Sequence, residues 1–267
     1  MKRLCFLLFL MISVTWAQKN INQKLVTDFI TAAHLEKSLN EFKTSFWNDF
    51  SQSYIDLFDS AGVKAKFDSS FSKAVLDSIT NSIVVNNYNE AAFRTYIAWI
   101  QSPLGKKFTH LDTAYALQEH KNLIAATALK IYKKQLTGRT VKYIEEMVET
   151  INLNDYMLEM VVSVSDKIFT ELSVKFTKSQ IDNYKKLRTQ MKQRMEEIRP
   201  LTKSTLMANM YYSYKDLRYS EFDEILNFYN SVSGKLYISV SKKVTEAAVK
   251  KCITDFLKSV AKNSVTE

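Results

Sequence analysis

Apolar residues recur at intervals of three and four along almost the whole chain. From Asn20 to Gly62 the positions Leu25, Val26, Phe29, Ile30, Leu35, Leu39, Phe42, Phe46, Phe50, Tyr54, Ile55 and Phe58 keep this rhythm, which is the spacing of one face of an α-helix. A break near Ala32-Ala33-His34 predicts two helices there. The same reading predicts helices over about 69–85, 90–101, 103–136, 179–198, 203–215, 220–230 and 233–262, with boundaries good to about 2–4 residues. No period-two pattern of useful length competes with them. Each helix carries a single apolar stripe, and stripes must be buried on one another. The expected fold is therefore all-α, a layered helical bundle.

Two stretches of the pattern repeat. Tyr219 to Tyr237 reads YSEFDEILNFYNSVSGKLY, an amphipathic run that stops at Asn230, followed by Ser231, Gly234 and Lys235 at the start of another run. Phe93, Trp99-Ile100, Ser102, Gly105, Lys106 and Phe108 fall opposite Phe222, Phe228-Tyr229, Ser231, Gly234, Lys235 and Tyr237 at an offset of 129, with Pro103 added after the serine. A second match, offset by 118, sets Tyr143, Ile144, Met147, Val148, Leu153, Met157, Met160, Val164 and Ile168 against the positions from Leu25 to Phe50. The two offsets differ by 11, which places an insertion inside the second copy. The expectation is a tandem duplication with repeat units at 20–138 and 139–262 and Gly138 at the junction.

Ser102 is a good helix N-cap and Pro103 suits the first helical position, where no N–H is needed. Gly105 and Gly234 then sit in a first turn, where the missing Cβ lets another backbone approach. The reading is a tight helix–helix corner, used twice, built on Ser102, Pro103, Gly105, Ser231 and Gly234. The rival is a phosphate-binding loop. That loop needs Gly-x-x-x-x-Gly-Lys-Ser/Thr after a strand, and here the second glycine is missing and a helix precedes.

The passage from Leu201 to Val244, with Met207, Tyr211, Tyr219-Ser220-Glu221, Ile225, Phe228-Tyr229, Ser231 and Gly234-Lys235, resembles the signature of the DUF2059 family. WIQSPLGK at 99–106 keeps that signature's Ser-Pro-x-Gly-Lys core, whereas Val232 and Ser233 depart from it. The resemblance implies a small, all-helical, exported bacterial protein with no established activity, and it supplies no catalytic residues.

The beginning of the chain changes the picture of where the protein works. Lys2 and Arg3 precede an unbroken apolar run from Leu4 to Ile12, and Thr15 and Ala17 are small. A run of nine is far below the roughly 20 residues that cross a bilayer, so 1–17 reads as a signal peptide cleaved after Ala17. Cys5 is too early and wrongly flanked for a lipoprotein attachment site. The expected location is the periplasm or the exterior. Cleavage lowers the length from 267 to 250 and, by removing Lys2 and Arg3, the formal charge from +9 to +7. It leaves Cys252 alone, so no internal disulfide can form and packing must supply the stability. On the closing helix Val240, Val244, Ala248 and Cys252 follow at fours, with Phe256 next, which places the thiol on the packed stripe.

Candidate chemistry is sparse. His34, His110 and His120 are far apart, and none has a second ligand at i+3 or i+4. No Gly-x-Ser-x-Gly elbow is present, and Glu145-Glu146 and Glu196-Glu197 read as solvated surface. No catalytic residue, metal site or cofactor is expected. Over 179–198, Ile181, Tyr184, Leu187, Met191, Met195 and Ile198 form a stripe, and Lys185, Arg188 and Lys192 line its shoulder. That row suits contact with an anion or an acidic partner, or else it is a solvated face whose methylene stems cover the core's edge. Tyr211-Tyr212-Ser213-Tyr214 is expected to pack rather than stack on bases. The reading is a non-enzymatic interaction protein whose partner is another envelope protein or peptide, held in a groove between the two units. A cationic module on anionic glycolipid or membrane is the alternative and a hydrolase a distant third. Nucleic acid is not expected.

Overall fold

The computed structural model describes residues 21–55, 62–114, 121–173 and 176–262, without the side chains of 113, 114, 121, 191–193 and 262. The leader-like segment, Cys5, His120 and the tail after Lys262 lie outside the described residues. Within them the regular structure is helical and no strand occurs. In chain order the helices are α1 (Gln23–Ala32), α2 (Leu35–Tyr54), α3 (Val63–Ser70), α4 (Lys73–Asn86), α5 (Glu90–Gln101), α6 (Pro103–Ala114), α7 (Lys121–Tyr132), α8 (Arg139–Ile151), α9 (Leu153–Leu172), α10 (Lys178–Tyr214), α11 (Tyr219–Asn230), α12 (Val232–Ala248) and α13 (Thr254–Lys262).

Polar side chains set the starts. The Asn22 side chain accepts from Leu25 N, that of Asn89 from Ala92 N, and Thr177 and Gln180 form a reciprocal capping box at α10. Each such cap satisfies a helix N–H that would otherwise go unpaired. The break at Ala32–His34 is a left-handed joint: His34 has φ 51° and α2 follows it. Asn152, 118 positions on, has φ 49° and joins α8 to α9 in the same way. Both α2 and α9 are 20 residues long.

The two corners share a geometry as well. Gly105 N donates to Ser102 Oγ and Gly234 N to Ser231 Oγ, each at 3.1 Å. A Cβ on Gly105 would stand 2.1 Å from the Trp99 carbonyl oxygen, and one on Gly234 would stand 2.2 Å from that of Phe228. The end of one helix is thus pressed against the first turn of the next. Both helices that lead into a corner, α5 and α11, have 12 residues.

Past each corner the chain crosses into the other half of the molecule. Helix α6 packs against α10, whereas α12 packs against α4 and α5, and α13 reaches α3 as well as α9. Trp99 and Phe228, the matched residues ahead of the corners, stack with ring centroids 3.9 Å apart and planes 4° from parallel. Phe256 of α13 meets Phe50 edge-on at 4.9 Å inside the aromatic cluster of α2 and α3. One contiguous core results, running from Leu25 to Val260.

Several expected boundaries are corrected. The helix drawn over 69–85 is divided at Phe71-Ser72, because Phe71 turns inward to pack on Phe67 at 4.6 Å while Ser72 is extended. The helices drawn over 179–198 and 203–215 are one 37-residue helix that contains Pro200. A proline there removes one backbone hydrogen bond, yet ties to other helices hold both flanks: Arg199 pairs with Asp155, and Lys203 Nζ lies 2.6 Å from Glu145 and 2.7 Å from Glu149. Glu145 is therefore an ion-pair partner as well as a surface residue. The closing helix is interrupted by a π-turn at Val249–Ile253. The wider turn lets Val249, Cys252 and Ile253 all face the core, where each is at most 1% exposed. Burial pushes the Cys252 thiol up to about 11, so little nucleophilic thiolate forms near neutral pH.

One carboxylate ties α6 to α11. Glu221 accepts from Arg218 N at 2.7 Å and from Lys107 Nζ at 2.9 Å on both oxygens. Burial alone would raise its pKa, but the Arg218 N–H and the Lys107 ammonium outweigh that effect and bring it from 4.5 down to about 2.

Two predictions follow from these contacts. Gly105→Ala and Gly234→Ala should each lower stability by about 2 kcal/mol, a fall in Tm of about 4–8 °C, since overpacking against backbone outweighs the gain in helix propensity; Lys235→Ala should change Tm little. Glu221→Gln should cost on the order of 1–3 kcal/mol at pH 7. Because the folded pKa is depressed, the wild-type advantage should be full above the unfolded value of 4.5 and fade as pH falls towards about 2. Urea unfolding of both proteins at pH 7 and pH 2.5 checks this, and an advantage that grew on acidification would contradict it.

Candidate functional site

The N-terminal half of α10 behaves differently from its C-terminal half. Towards the C-terminus Met207, Ala208 and Tyr214 are buried. Towards the N-terminus Leu187 is 49% and Ile198 46% exposed, and Ile181, Tyr184 and Met195 are only half-buried. The expectation that every stripe finds a partner fails here. Along its N-terminal turns α10 packs chiefly on α9, with Tyr54 at the end of α2 also close by.

A trough of about 400 Å³ lies along this seam, bounded by Phe169 of α9, Phe176, Tyr184, Leu187 and Arg194, with Tyr54 from the end of α2 closing it. Local sequence explains much of its wall. Phe176 immediately precedes the Thr177 cap, the place where an apolar residue anchors the chain as it enters a helix. It stacks on Phe169 at 5.5 Å, and Phe169 stacks on Tyr184 with planes 7° from parallel.

Asp166, beside the trough, joins its two helices. Its two oxygens accept from Tyr184 Oη and from Arg188 Nη2, both at 2.8 Å. Burial, and after it this carboxylate, push the Tyr184 phenol up, so it stays a hydrogen-bond donor. The carboxylate thus ties two turns of α10 to α9.

The cationic row accordingly divides. Arg188 is exposed but paired with Asp166 of α9, Lys185 is exposed, and the side chain of Lys192 lies outside the described residues. Arg194, which sequence spacing did not single out, is the one cation among the described residues that line the trough. The structure does not bring the corner residues Ser102, Pro103, Gly105, Ser231 and Gly234 to this site. They lie at the two corners, where Ser102 and Ser231 cap helices and the glycines meet backbone.

The remaining polar candidates fall into packing roles. Tyr212 Oη lies 2.8 Å from Thr127 Oγ1, and Tyr214 Oη donates to Asp112 at 2.7 Å. Glu196 pairs with Arg199 on its own helix. His34 occupies the exposed α1–α2 joint. Among the described residues no three His, Cys, Asp or Glu side chains are grouped so as to hold a metal ion, and no helix is long and apolar enough to cross a membrane.

No protein-family model matches the chain, and no curated protein or solved structure matches it either. The reading of the site therefore rests on its own geometry: an open, aromatic-floored seam with a cation on its rim, suited to receiving apolar side chains of another molecule.

Proposed function

We propose that the protein is an exported, non-enzymatic helical binding protein of a bacterial cell envelope. In this reading the α9–α10 trough takes an amphipathic segment of another envelope protein, apolar side chains downwards and an acidic side towards Arg194 and Lys185. The observation that carries it is the exposed apolar residues of this helix pair, Leu187 and Ile198 on α10 and Met157 and Val161 on α9. Apolar side chains gathered on a rigid, capped helix mark interaction surfaces more often than scattered ones do. Tyr54 comes from the first half of the chain and the rest of the wall from the second, in keeping with a groove between two units.

The same proposal includes the tandem duplication. It is supported by the left-handed joints 118 positions apart and the corners 129 positions apart, each followed or preceded by helices of equal length. It also includes the likeness to DUF2059, carried by the residues from Leu201 to Val244, and export, carried by the leader-like start. Recruitment to anionic glycolipid is a second reading, favoured by the positive charge of the chain. The pairing of Arg188 with Asp166 removes one cation from the row that such a surface would use, so the trough is preferred.

A photo-crosslinking residue at Leu187, with a second protein carrying it at the isolated exposed Val232, tests the reading in the native envelope fraction. The expected outcome is a discrete adduct from position 187 that is absent from position 232 and is lost when Arg194→Glu is added. Equal labelling at both positions, or an adduct indifferent to Arg194, would contradict it.

A further inference from the structure

A second concavity, of about 340 Å³, is lined by residues of both corners. The left-handed joint at His34, the α8–α9 joint, the corner helices and the end of α10 all contribute to it. Rings of Tyr96, Trp99, Phe108, Tyr214, Phe228 and Tyr237 wall it. They are held in stacked pairs, Trp99 on Phe228 at 3.9 Å, Tyr96 on Tyr237 at 4.6 Å and Phe108 on Tyr214 at 4.8 Å. A wall braced in this way is set before any ligand arrives.

The charge of the lining is unusual for this chain. Lys and Arg number 37 against 28 Asp and Glu, yet among the described residues the lining includes no Lys or Arg and one carboxylate, Asp112. Asp112 is exposed, as are His34 and Ser38, which places these three at the mouth and the rings on the floor. The Tyr214 hydroxyl donates to Asp112 at 2.7 Å and orients it. Its field reaches inward: burial raises the phenols of Tyr214, Tyr229 and Tyr237, and the negative charge of Asp112 raises all three further. Trp99 also lines the cavity, and its indole N–H is buried with no acceptor among the described residues.

We propose that this cavity binds a small organic cation, an alkylated ammonium group seated against the aromatic rings with Asp112 as its counter-charge. Aromatic rings attract cations through their quadrupole, and an alkylated ammonium is held best because it gives up little hydration on burial. An anion would meet Asp112 with no cation to offset it. A neutral apolar ligand would gain nothing from the negative charge of Asp112 at the mouth. A hydroxyl or ester oxygen on the ligand would supply the acceptor that the Trp99 N–H lacks. The site is independent of the α9–α10 trough and of the partner proposed for it.

Calorimetric titration of the purified protein with choline, and with its neutral carbon isostere 3,3-dimethylbutan-1-ol, tests the proposal without any mutation. The expected result is saturable binding of choline, tighter than that of the isostere by about tenfold. Asp112→Asn should remove most of that difference while leaving the isostere's affinity unchanged. Tyr214→Phe, which keeps the ring and frees the carboxylate, should bind choline at least as well as the wild type. Equal affinity for the two probes, indifference of choline binding to Asp112→Asn, or no saturable choline binding up to about 10 mM would each overturn the proposal.

Discussion

The carbonyl oxygens of Trp99 and Phe228 occupy the space that a Cβ on Gly105 and Gly234 would need. With hydrogen at those positions, a helix can end and the next begin within one serine-capped step, pressed against its predecessor. The direction in which α6 and α12 leave their corners follows from that contact. So does the approach of the two corners to each other, since the residues whose carbonyls crowd the glycines are the ones whose rings stack.

From this constraint comes the interleaving of the chain. Because each closing helix packs on the opposite half, neither half keeps its apolar stripes to itself, and the buried residues form one core. The aromatic cavity lies where the halves meet, walled by rings that the corners bring together. The α9–α10 seam is one part of the molecule that the interleaving leaves uncovered, and α7, with Leu123, Leu129 and Tyr132 exposed, is another. At the seam a salt-bridged carboxylate, Asp166, takes over the positioning that buried apolar contact provides elsewhere.

The all-α class was legible because three-four spacing runs through nearly the whole chain, and the corner was legible because Ser-x-x-Gly leaves both a cap and a gap. The break at His34 showed as a lapse in rhythm. What was not legible depended on contacts distant in sequence. Pro200 looks like a stop until Arg199 and Lys203 find acids on α8 and α9. The π-turn at Val249–Ile253 leaves no local mark, because its reason is a core that demands an extra inward residue. Arg188 looked like a free cation because Asp166 is 22 positions away. Leu187 and Ile198 fit a buried stripe by spacing, and only the packing shows that no neighbour covers them. The aromatic cavity draws residues from Ala33 to Tyr237, and no window of sequence holds its pattern.

A double-mutant cycle on Trp99→Leu and Phe228→Leu, read by urea unfolding at neutral pH, tests most directly the claim that the two corners act as one clasp. The account predicts that the two substitutions are not additive, with a coupling of about 1 kcal/mol, as for a stacked aromatic pair. Losses that add to within about 0.3 kcal/mol would show the corners to be energetically separate and would contradict it.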